Sequence, residues 1–476
     1  MSVCSAPGGS PLSRVTHRVL RTNLSDLPAL FAEWIPEELW IRPCSKKRRG
    51  PFTQTVTFWI FLSQCLTRTE PCREAVRKLM AWLHLCRRPA ISGNTSAYCQ
   101  ARKKKLSEAF LRETHSQLVA RGESQAPAAT RWRGRRVGVV DGTTVSMPDT
   151  PLNQALYPQP SEQKKGCGFP VMKIVGVFSL ATGLWHLLAY GNLHDHERNL
   201  FRGLWDELCL RFEILLGDRG FTSFADMYLL KQRGVDTVLR RHQMRACDFR
   251  KGKRLGRCDH LVAWKKPARR PDWLSPDVYA VMPEEWIVRE VQVQLTVKGF
   301  RTRVYVIVTT LLDPILFPAS ALAELYFLRW SIELYFRNIK VTLGLDVLRC
   351  KSPDMVHKEL WMLVVAHNLI RALMLKAAVV ERQPLSRLSF KGTVDTLRQW
   401  APLLAVTVWQ PTLYRRFHRK LLMCIAHDLV PFRPERVESR AKKRRPKNYQ
   451  LLTKPRHRMG RLPHRNRACR KLKKHD

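Results

Sequence analysis

Short apolar segments rich in β-branched residues, each ended by turn residues, constrain the fold of this chain most strongly. They predict strands at 135–147, 214–216 and 235–241, a hairpin at 171–191 and a helix at 225–234. Three early strands followed by alternating strand and helix are typical of a mixed α/β sheet.

Two acidic residues follow predicted strands in this region. Asp141 ends the first strand and begins an Asp-Gly turn, and Asp218 follows the strand at 214–216. Neighbouring strands lie only ~4.8 Å apart, so two acids at adjacent strand ends can bind one cation. Carboxylates without cysteine or histidine ligands suit a hard ion such as Mg²⁺ or Mn²⁺. The alternative for Asp141 is an ordinary turn aspartate, because Asp-Gly turns are common.

A third acidic residue, Glu333, lies in the sequence YFLRWSIELYFRNIK at 326–340, which we predict to be one helix. At ~100° per residue, four side chains lie within an arc of about 60° on that helix: Tyr326, Arg329, Glu333 and Lys340. We expect Glu333 to complete a metal site with the two aspartates, while the basic side chains bind backbone phosphates. Ion pairing within the helix, between Arg329 and Glu333, is the alternative explanation of this pattern.

The charge of the chain favours nucleic acid as a partner. Lysine and arginine number 83 against 39 acidic residues, which gives a formal net charge of +44. So large an excess repels itself and destabilises the compact state, so a polyanionic partner explains it better than solubility does. Nucleic acid is favoured over an anionic membrane surface.

The apolar segments and the cysteines argue against a membrane or secreted protein. The segments at 57–66 and 360–380 are too short or are interrupted by polar residues, so we expect core helices. We also expect no secretory signal at the N-terminus. The 13 cysteines show no zinc-ligand spacing, and the pair Cys247 and Cys258, which flanks a basic loop, is weak evidence for a metal. We expect free thiols in a reducing cytosol.

Helical and basic segments flank the predicted sheet. The basic segment 91–110 fits either a helix offered to DNA or a surface helix with a cationic face. The last segment of the chain is basic and poor in apolar residues, which predicts disorder. The predicted organisation is a helical N-terminal DNA-binding region at 1–125, a sheet core at 131–241 and 311–400, a β-rich insertion at 242–310, a helical C-terminal region at 401–432 and a disordered basic tail at 433–476.

These motifs resemble the insertion-sequence-four family of bacterial DDE transposases. The spacing Tyr-x2-Arg-x3-Glu-x6-Lys within 326–340 is similar to the YREK signature of that family. DGTT at 141–144 and DRGF at 218–221 resemble its first and second acidic motifs, and HNLIR at 367–371 resembles the helix after the signature. The resemblance spans about residues 135–375.

The resemblance implies a ribonuclease H-like core with a β-rich insertion between the second aspartate and the glutamate. It implies that Asp141, Asp218 and Glu333 are catalytic and bind two Mg²⁺ ions, which Mn²⁺ can replace.

The same resemblance implies DNA contacts for other residues. Tyr326, Arg329 and Lys340 are expected to contact the end of the transposon. Some relatives stack a flipped base on a tryptophan 28 residues before the glutamate, a place held here by Tyr305. Tyrosine can also stack on a base, so Tyr305 is expected to bind DNA. Three tryptophans of the insertion could take this role instead: Trp264, Trp273 and Trp286.

The activity implied by the resemblance is that of a transposase, which cuts the ends of an insertion sequence with water and joins the freed 3′-hydroxyls to target DNA. The expected partners are double-stranded DNA, both as terminal inverted repeats and as target, and a second copy of the chain in a synaptic homodimer, with no membrane. The expected location is the bacterial cytoplasm, in association with the nucleoid. Two other functions fit the residues: a ribonuclease H-like nuclease that cuts without joining, and a domesticated DNA-binding protein without catalysis.

Overall fold

The computed structural model describes residues 26–35, 39, 50–68, 70–85, 89–295, 303–407, 410–431, 454–455 and 458. The tail predicted to be disordered, 433–476, therefore lies almost entirely outside the described residues. Nine strands of the described residues form one sheet: β1 Val137–Ser146, β2 Val171–Ser179, β3 Trp185–Asn192, β4 Ile214–Gly217, β5 Asp236–Arg240, β6 Lys253–Gly256, β7 Asp259–Lys265, β8 Glu285–Leu295 and β9 Arg303–Thr309. Their order across the sheet is β3-β2-β1-β4-β5-β9-β8-β7-β6.

The described residues also form helices, several of which pack against this sheet while others pack against one another. They are α1 Asp26–Phe31, α2 Gln54–Leu66, α3 Cys72–Leu85, α4 Ser96–Lys105, α5 Glu108–Ser124, α6 Pro151–Leu156, α7 Glu197–Arg202, α8 Trp205–Arg211, α9 Phe224–Gln232, α10 Pro276–Ala280, α11 Ala319–Leu328, α12 Ser331–Arg337, α13 Pro353–Val380, α14 Phe390–Thr407 and α15 Pro411–His427. The fold is thus a mixed α/β fold, as the order of predicted elements indicated.

The first five strands combine both pairing directions. β1, β2 and β3 form an antiparallel meander, and β4 and β5 follow on the other side of β1, parallel to it. The predicted hairpin at 171–191 and the predicted strands at 214–216 and 235–241 are confirmed. All four residues of β4 are buried, which explains its continuous apolar run, since a parallel strand is covered on both faces.

The turn predicted at Asp141 and Gly142 is wrong. Both residues lie inside β1, where they pair with Gly176 and Val175 of β2. Antiparallel pairing with β2 continues without a break to Ser146, so the tertiary context overrides the local turn preference of Asp-Gly. Asp141 therefore lies in the middle of a strand and not at its end.

The strands of the predicted insertion extend the same sheet. β9 pairs antiparallel with β5, and β8, β7 and β6 follow in turn. All four of these strands lie within 242–310, the segment predicted to be β-rich. The basic segment 246–258 is predicted to be a loop. The prediction is wrong for its second half, where β6 forms at Lys253–Gly256. β6 is the edge strand, and charged side chains are typical of such edges.

α13 is the central apolar helix of the helical half. By length and composition it could cross a membrane, but 83% of its most apolar window is buried in the protein. The prediction of a core helix at 360–380 is confirmed.

Polar residues of α13 hold the turn between β2 and β3. Asn368 accepts the Trp185 N–H at 2.8 Å and donates to the Trp185 carbonyl at 2.9 Å. Arg371 donates from Nε to the Thr182 carbonyl at 2.9 Å. Gly183 has a φ of +69°, and a Cβ there would lie 2.6 Å from Arg371 Nη2, so both the turn and the close approach require glycine. This part of the 367–371 motif positions the meander against the helix.

The single helix predicted at 326–340 is wrong. α11 ends before the stretch is complete, α12 follows, and a π-helical turn at Asn338–Thr342 ends it. Between α11 and α12 the chain makes a tighter turn, in which the Glu333 N–H bonds the Trp330 carbonyl three residues back at 3.1 Å. Tight and wide turns change the rotation per residue, so angles calculated for a uniform α-helix do not hold here.

Candidate active site

Asp141 and Asp218 lie side by side on parallel strands. β1 pairs with β4 so that Val139 is opposite Leu216, and the same register two residues further places Asp141 level with Asp218. Asp218 directly follows β4, and its Oδ1 accepts the N–H of Gly220 at 2.7 Å. The structure thus brings these two predicted site residues together, although one lies within its strand and the other follows its strand.

The carboxylate of Asp141 is poorly compensated. Its pKa is raised to about 6, chiefly because burial disfavours the charged form. The negative charges of Asp218 and Glu197 raise the pKa as well. The Gly142 N–H, 2.8 Å from Oδ1, and the charge of Arg329 lower it. A cation bound between the carboxylates would offset this repulsion.

Glu197 is a further acidic residue at this site, which the sequence analysis missed. It is the first residue of α7, which follows β3. A Cβ at position 142 would lie 2.5 Å from Glu197 Cδ, so only glycine at 142 allows this carboxylate to lie against β1. No local signal marked it, because Glu197 lies five residues after the end of β3, whereas Asp218 directly follows β4.

Arg329 is buried beside the acids, with 8% of its surface exposed. Its Nη2 lies 3.7 Å from Glu333 Oε1, and its guanidinium lies 5.0 Å from the ring centroid of Trp330. Among the described residues its Nε has no hydrogen-bond partner. The ion pair proposed as the alternative explanation is therefore present, but it leaves an N–H free. A buried guanidinium with an unpaired donor fits an anionic ligand such as phosphate.

Glu333 lies at the rim of the site. It is in the first turn of α12, and its side chain is 59% exposed. In the described part of the chain, the ligand atoms of Asp141, Asp218 and Glu333 do not all lie within 4.8 Å of one another. Arg329 connects Glu333 with Asp141, because it pairs with Glu333 and its charge lowers the pKa of Asp141.

Lys340 connects the π-helical turn to β1 by hydrogen bonds. Its Nζ donates to Thr143 Oγ1 and to the Thr144 carbonyl, both at 2.9 Å, immediately after Asp141 and Gly142 in the strand. Burial lowers the pKa of Lys340. An ammonium group has three donors, so one remains for a ligand such as phosphate. The DNA contact of Lys340 stays a prediction, and the structure adds an anchoring contact.

The two tyrosines predicted to contact DNA are buried. Tyr326 is 1% exposed, and burial raises its pKa to about 12. Tyr305 is 6% exposed, with its ring centroid 6.0 Å from that of Trp330 and the Arg240 guanidinium 4.5 Å from its ring centroid. A base can stack on Tyr305 only if one of these neighbours moves. The DNA contacts of both tyrosines stay predictions.

The alternative stacking tryptophans are covered as well. Trp264 is 3% exposed, and Arg245 lies 3.9 Å from its ring centroid. Arg202 lies 3.7 Å from the ring centroid of Trp273. Trp286 packs edge-on against Tyr228 of α9, at 5.5 Å between centroids. Each tryptophan thus has a ring or cation partner within the protein.

The donor set of this site fits a hard divalent cation. Asp141 and Asp218 each have one oxygen held by a backbone N–H, which orients the carboxylate and leaves its second oxygen for a ligand. Carboxylate oxygens are the ligands that Mg²⁺ and Mn²⁺ prefer. Burial is the main cause of the raised pKa of Asp141, and the charges of Asp218 and Glu197 add to it; a cation bound here would offset both effects.

Comparison with known proteins places the chain in a family. The family model described as Transposase DDE domain matches residues 132–369, half of the chain. The chain is 28% identical over 417 residues to the Transposase InsG for insertion sequence element IS4 of Escherichia coli, which covers 86% of this chain and 89% of that protein. A cryo-EM structure of the piggyBac transposase synaptic complex with hairpin DNA has a TM-score of 0.40 at 9% identity, and covers 88% of this chain and 86% of that chain. From the family model, the chain belongs to the DDE transposases.

Proposed function

We propose that this insertion-sequence transposase cuts and joins DNA at a metal site formed by Asp141, Asp218 and Glu333, which holds two Mg²⁺ ions or Mn²⁺ in their place. The observation that carries the proposal is the pair of aspartates within β1 and directly after β4, where burial and the charge of Asp218 raise the pKa of Asp141 to about 6. A buried carboxylate beside a second carboxylate is unfavourable without a cation, so such a pair is expected at a cation-binding site.

When bound, the two ions would supply Lewis-acid stabilisation of the attacking and leaving oxygens of an in-line displacement at phosphorus. Asp141 and Asp218 hold their side of the site on the rigid sheet. Glu333 completes it from α12, and for this its exposed side chain turns inward, away from the loose 3.7 Å contact with Arg329.

Arg329 and Lys340 are proposed to bind the phosphates next to the cleaved bond. Arg329 has a buried, unpaired Nε–H, and once Glu333 turns inward, its guanidinium is free to bind an oxyanion. Lys340 keeps one donor beyond its two bonds to β1. We assign Tyr326 and Tyr305 to the same DNA surface, Tyr326 through its contact with Arg329 and Tyr305 through the movable Arg240 that covers it.

We infer that β1 to β5 form a ribonuclease H-like core. An antiparallel meander followed by two strands parallel to the first, with acids on β1 and after β4, supports this assignment. The chain then divides as its sequence suggests: an N-terminal DNA-binding region at 1–125, the core at 131–241 and 311–400, the insertion at 242–310, the C-terminal helices at 401–432 and a basic tail at 433–476.

The DNA partners are proposed to be the terminal inverted repeats of the element and the target. The net charge of +44 supports binding to a polyanion, and Lys103 and Lys104 are exposed at the end of α4 in the N-terminal region. Two element ends have to be joined to one target, so we propose a homodimer in the synaptic complex. The same charge supports association with the nucleoid of a bacterial cell.

A test of the proposal combines the full chain with a labelled duplex that ends in the terminal repeat, a target plasmid and Mg²⁺. We expect free 3′-hydroxyl ends and, with time, labelled ends joined to the plasmid. Cleavage without joining would instead indicate a ribonuclease H-like nuclease, and binding without cleavage would indicate a non-catalytic DNA-binding protein. Either result would overturn the proposal.

A further inference from the structure

Three side chains with metal-binding atoms meet in the insertion, outside the proposed active site. One ligand atom each of Cys247, His260 and Glu290 lies within 4.8 Å of the other two. They come from three segments of the chain, namely the loop after β5, strand β7 and strand β8. The three residues do not follow a recognised metal-ligand spacing. From the sequence alone, Cys247 could therefore be considered only together with Cys258, as weak evidence for a metal.

His260 is oriented like a histidine that binds a metal. It is 1% exposed, and its Nδ1 lies 2.6 Å from the Lys251 carbonyl, which is an acceptor only. Nδ1 therefore bears a proton, and in the neutral ring Nε2 presents a lone pair to the interior of the cluster. Metal-binding histidines are commonly fixed in this way by a backbone carbonyl on the other ring nitrogen.

Glu290 faces that lone pair. It is opposite His260 in the register of β7 and β8, and its Oε2 lies 3.3 Å from His260 Nε2. Its other oxygen accepts the Trp264 indole N–H at 3.0 Å, and the residue is 2% exposed. A buried carboxylate oxygen opposite an imidazole lone pair is repulsive unless a proton or a metal ion lies between them.

Cys247 supplies the third donor from a half-buried position. Burial raises the pKa of its thiol to about 12, and its hydrogen bond to Glu290 raises the pKa as well, so the thiol is protonated in the absence of an ion. A bound metal displaces that proton to solvent when the metal–sulfur bond forms. Thiolate, imidazole and carboxylate together suit Zn²⁺ or Co²⁺ and do not suit Mg²⁺ or Ca²⁺.

We propose that Cys247, His260 and Glu290 form a tetrahedral site for a zinc-class divalent ion, with the fourth position open to solvent beside Cys247. The ion joins the loop 241–252 to the sheet of the insertion. This loop also contacts the motif that contains Asp218, because Arg219 Nη1 donates to Gln243 Oε1 at 2.5 Å. The site therefore fixes a segment that connects the insertion to the active site.

Co²⁺ alone is the probe for the first experiment, with the full chain prepared free of metal. We expect a thiolate-to-cobalt charge-transfer band that saturates at about one ion per chain and is removed by Zn²⁺ but not by Mg²⁺. Cys247→Ala should abolish the band and weaken Zn²⁺ binding by at least about 100-fold. Cys258→Ala is the matched control, since this thiol is two residues before His260 in the chain but does not belong to the cluster, and the band should persist.

Limited digestion with trypsin gives a second measurement, independent of the spectrum. Arg250 and Lys251 are exposed in the loop. Zn²⁺ should slow cleavage there in the unmodified chain and in Cys258→Ala, but not in Cys247→Ala. Asp141→Asn should retain both the band and the protection, which separates this site from the proposed catalytic one. The proposal is overturned if the folded chain shows no cobalt–thiolate band, or if Cys247→Ala retains the band and the protection. In that case the cluster is held by a protonated imidazole alone.

Discussion

Asp141 lies within β1 and Asp218 directly follows the parallel neighbour β4, at the position that the register of the two strands places level with Asp141, and the negative charge of Asp218 opposes the ionisation of Asp141. Each carboxylate has one oxygen tied to a backbone N–H of its own segment, so neither can easily turn away. The two side chains therefore maintain a negative potential at one point of the sheet. A cation is the partner that this potential requires.

Substitution of either aspartate should abolish catalysis without loss of DNA binding. We expect Asp141→Asn and Asp218→Asn each to reduce Mg²⁺-dependent cleavage on the order of 1,000-fold or more, because each removes a ligand but keeps the side-chain size. Cleavage of a terminal-repeat duplex and electrophoretic mobility shifts measure the two properties. Asp206→Asn, at an acidic side chain that is 97% exposed on α8, is the control and should behave as the unmodified chain. Retained cleavage in either site variant would refute the metal assignment.

Cleavage should depend on pH through Asp141. Metal binding requires the ionised carboxylate, whose pKa is raised to about 6 in the metal-free protein. At subsaturating Mg²⁺ the rate should therefore rise about tenfold per pH unit below pH 6 and become level above it. Single-turnover cleavage from pH 5 to 8, with DNA binding measured in parallel, checks this. A flat profile with constant DNA binding would contradict the prediction.

The stability of the metal-free protein should fall as pH rises through the same range. The folded-state pKa of Asp141 lies above its ordinary value of 3.8, so its contribution to stability is fully present below pH ~4 and is lost as pH rises through about 6. Asp141→Asn removes the charge, so at pH 8 it should raise the free energy of unfolding, on the order of 1 kcal/mol. At pH 4 the difference should vanish. Urea unfolding in the presence of a chelator measures this difference in the free energy of unfolding. A variant that is less stable than the unmodified chain at pH 8 would contradict the prediction.

Lys340 should combine an anchoring contact with a DNA contact. Lys340→Ala removes two hydrogen bonds to β1, which should cost about 1–2 kcal/mol of stability. If Lys340 also binds a phosphate, the slope of log binding constant against log salt concentration should become smaller by about 0.9. Thr143→Val is the matched control, because it removes one acceptor but leaves the ammonium charge. A loss of stability with an unchanged salt slope would show that Lys340 is structural only.

Gly142 should be required for the close approach of the Glu197 carboxylate to β1. In Gly142→Ala the new methyl group would lie 2.5 Å from Glu197 Cδ, at the end of a flexible side chain that can rotate away, so we expect a loss of about 1 kcal/mol at most, together with reduced cleavage because Glu197 leaves its place beside β1. Truncation of the neighbour in Gly142→Ala/Glu197→Ala should restore most of the stability. Gly256→Ala, whose Cβ would be no closer than 3.8 Å to another residue, serves as the control. If the double variant is no more stable than Gly142→Ala, another contact requires the glycine.

Much of the fold and of the site could be predicted from local patterns. Each apolar segment that was predicted to be a strand forms one. Asp218, which directly follows such a segment, lies at the site. The spacing within 326–340 left an ion pair between Arg329 and Glu333 as its alternative explanation, and that pair is present. The net charge predicted a polyanionic partner. These features are local or compositional, so they do not depend on which segments meet in space.

Other features depend on long-range contacts, and only the folded chain shows them. Pairing with β2 carries β1 past the Asp-Gly step, and this places Asp141 within a strand. The contact of Glu197 with Gly142, and the cluster of Cys247, His260 and Glu290, join segments with no common spacing. The tight and wide turns of 326–340 follow from its packing on the sheet, which a uniform helical period does not contain. Residue types thus determine which chemistry is possible, whereas strand register and packing decide which side chains come close enough to perform it.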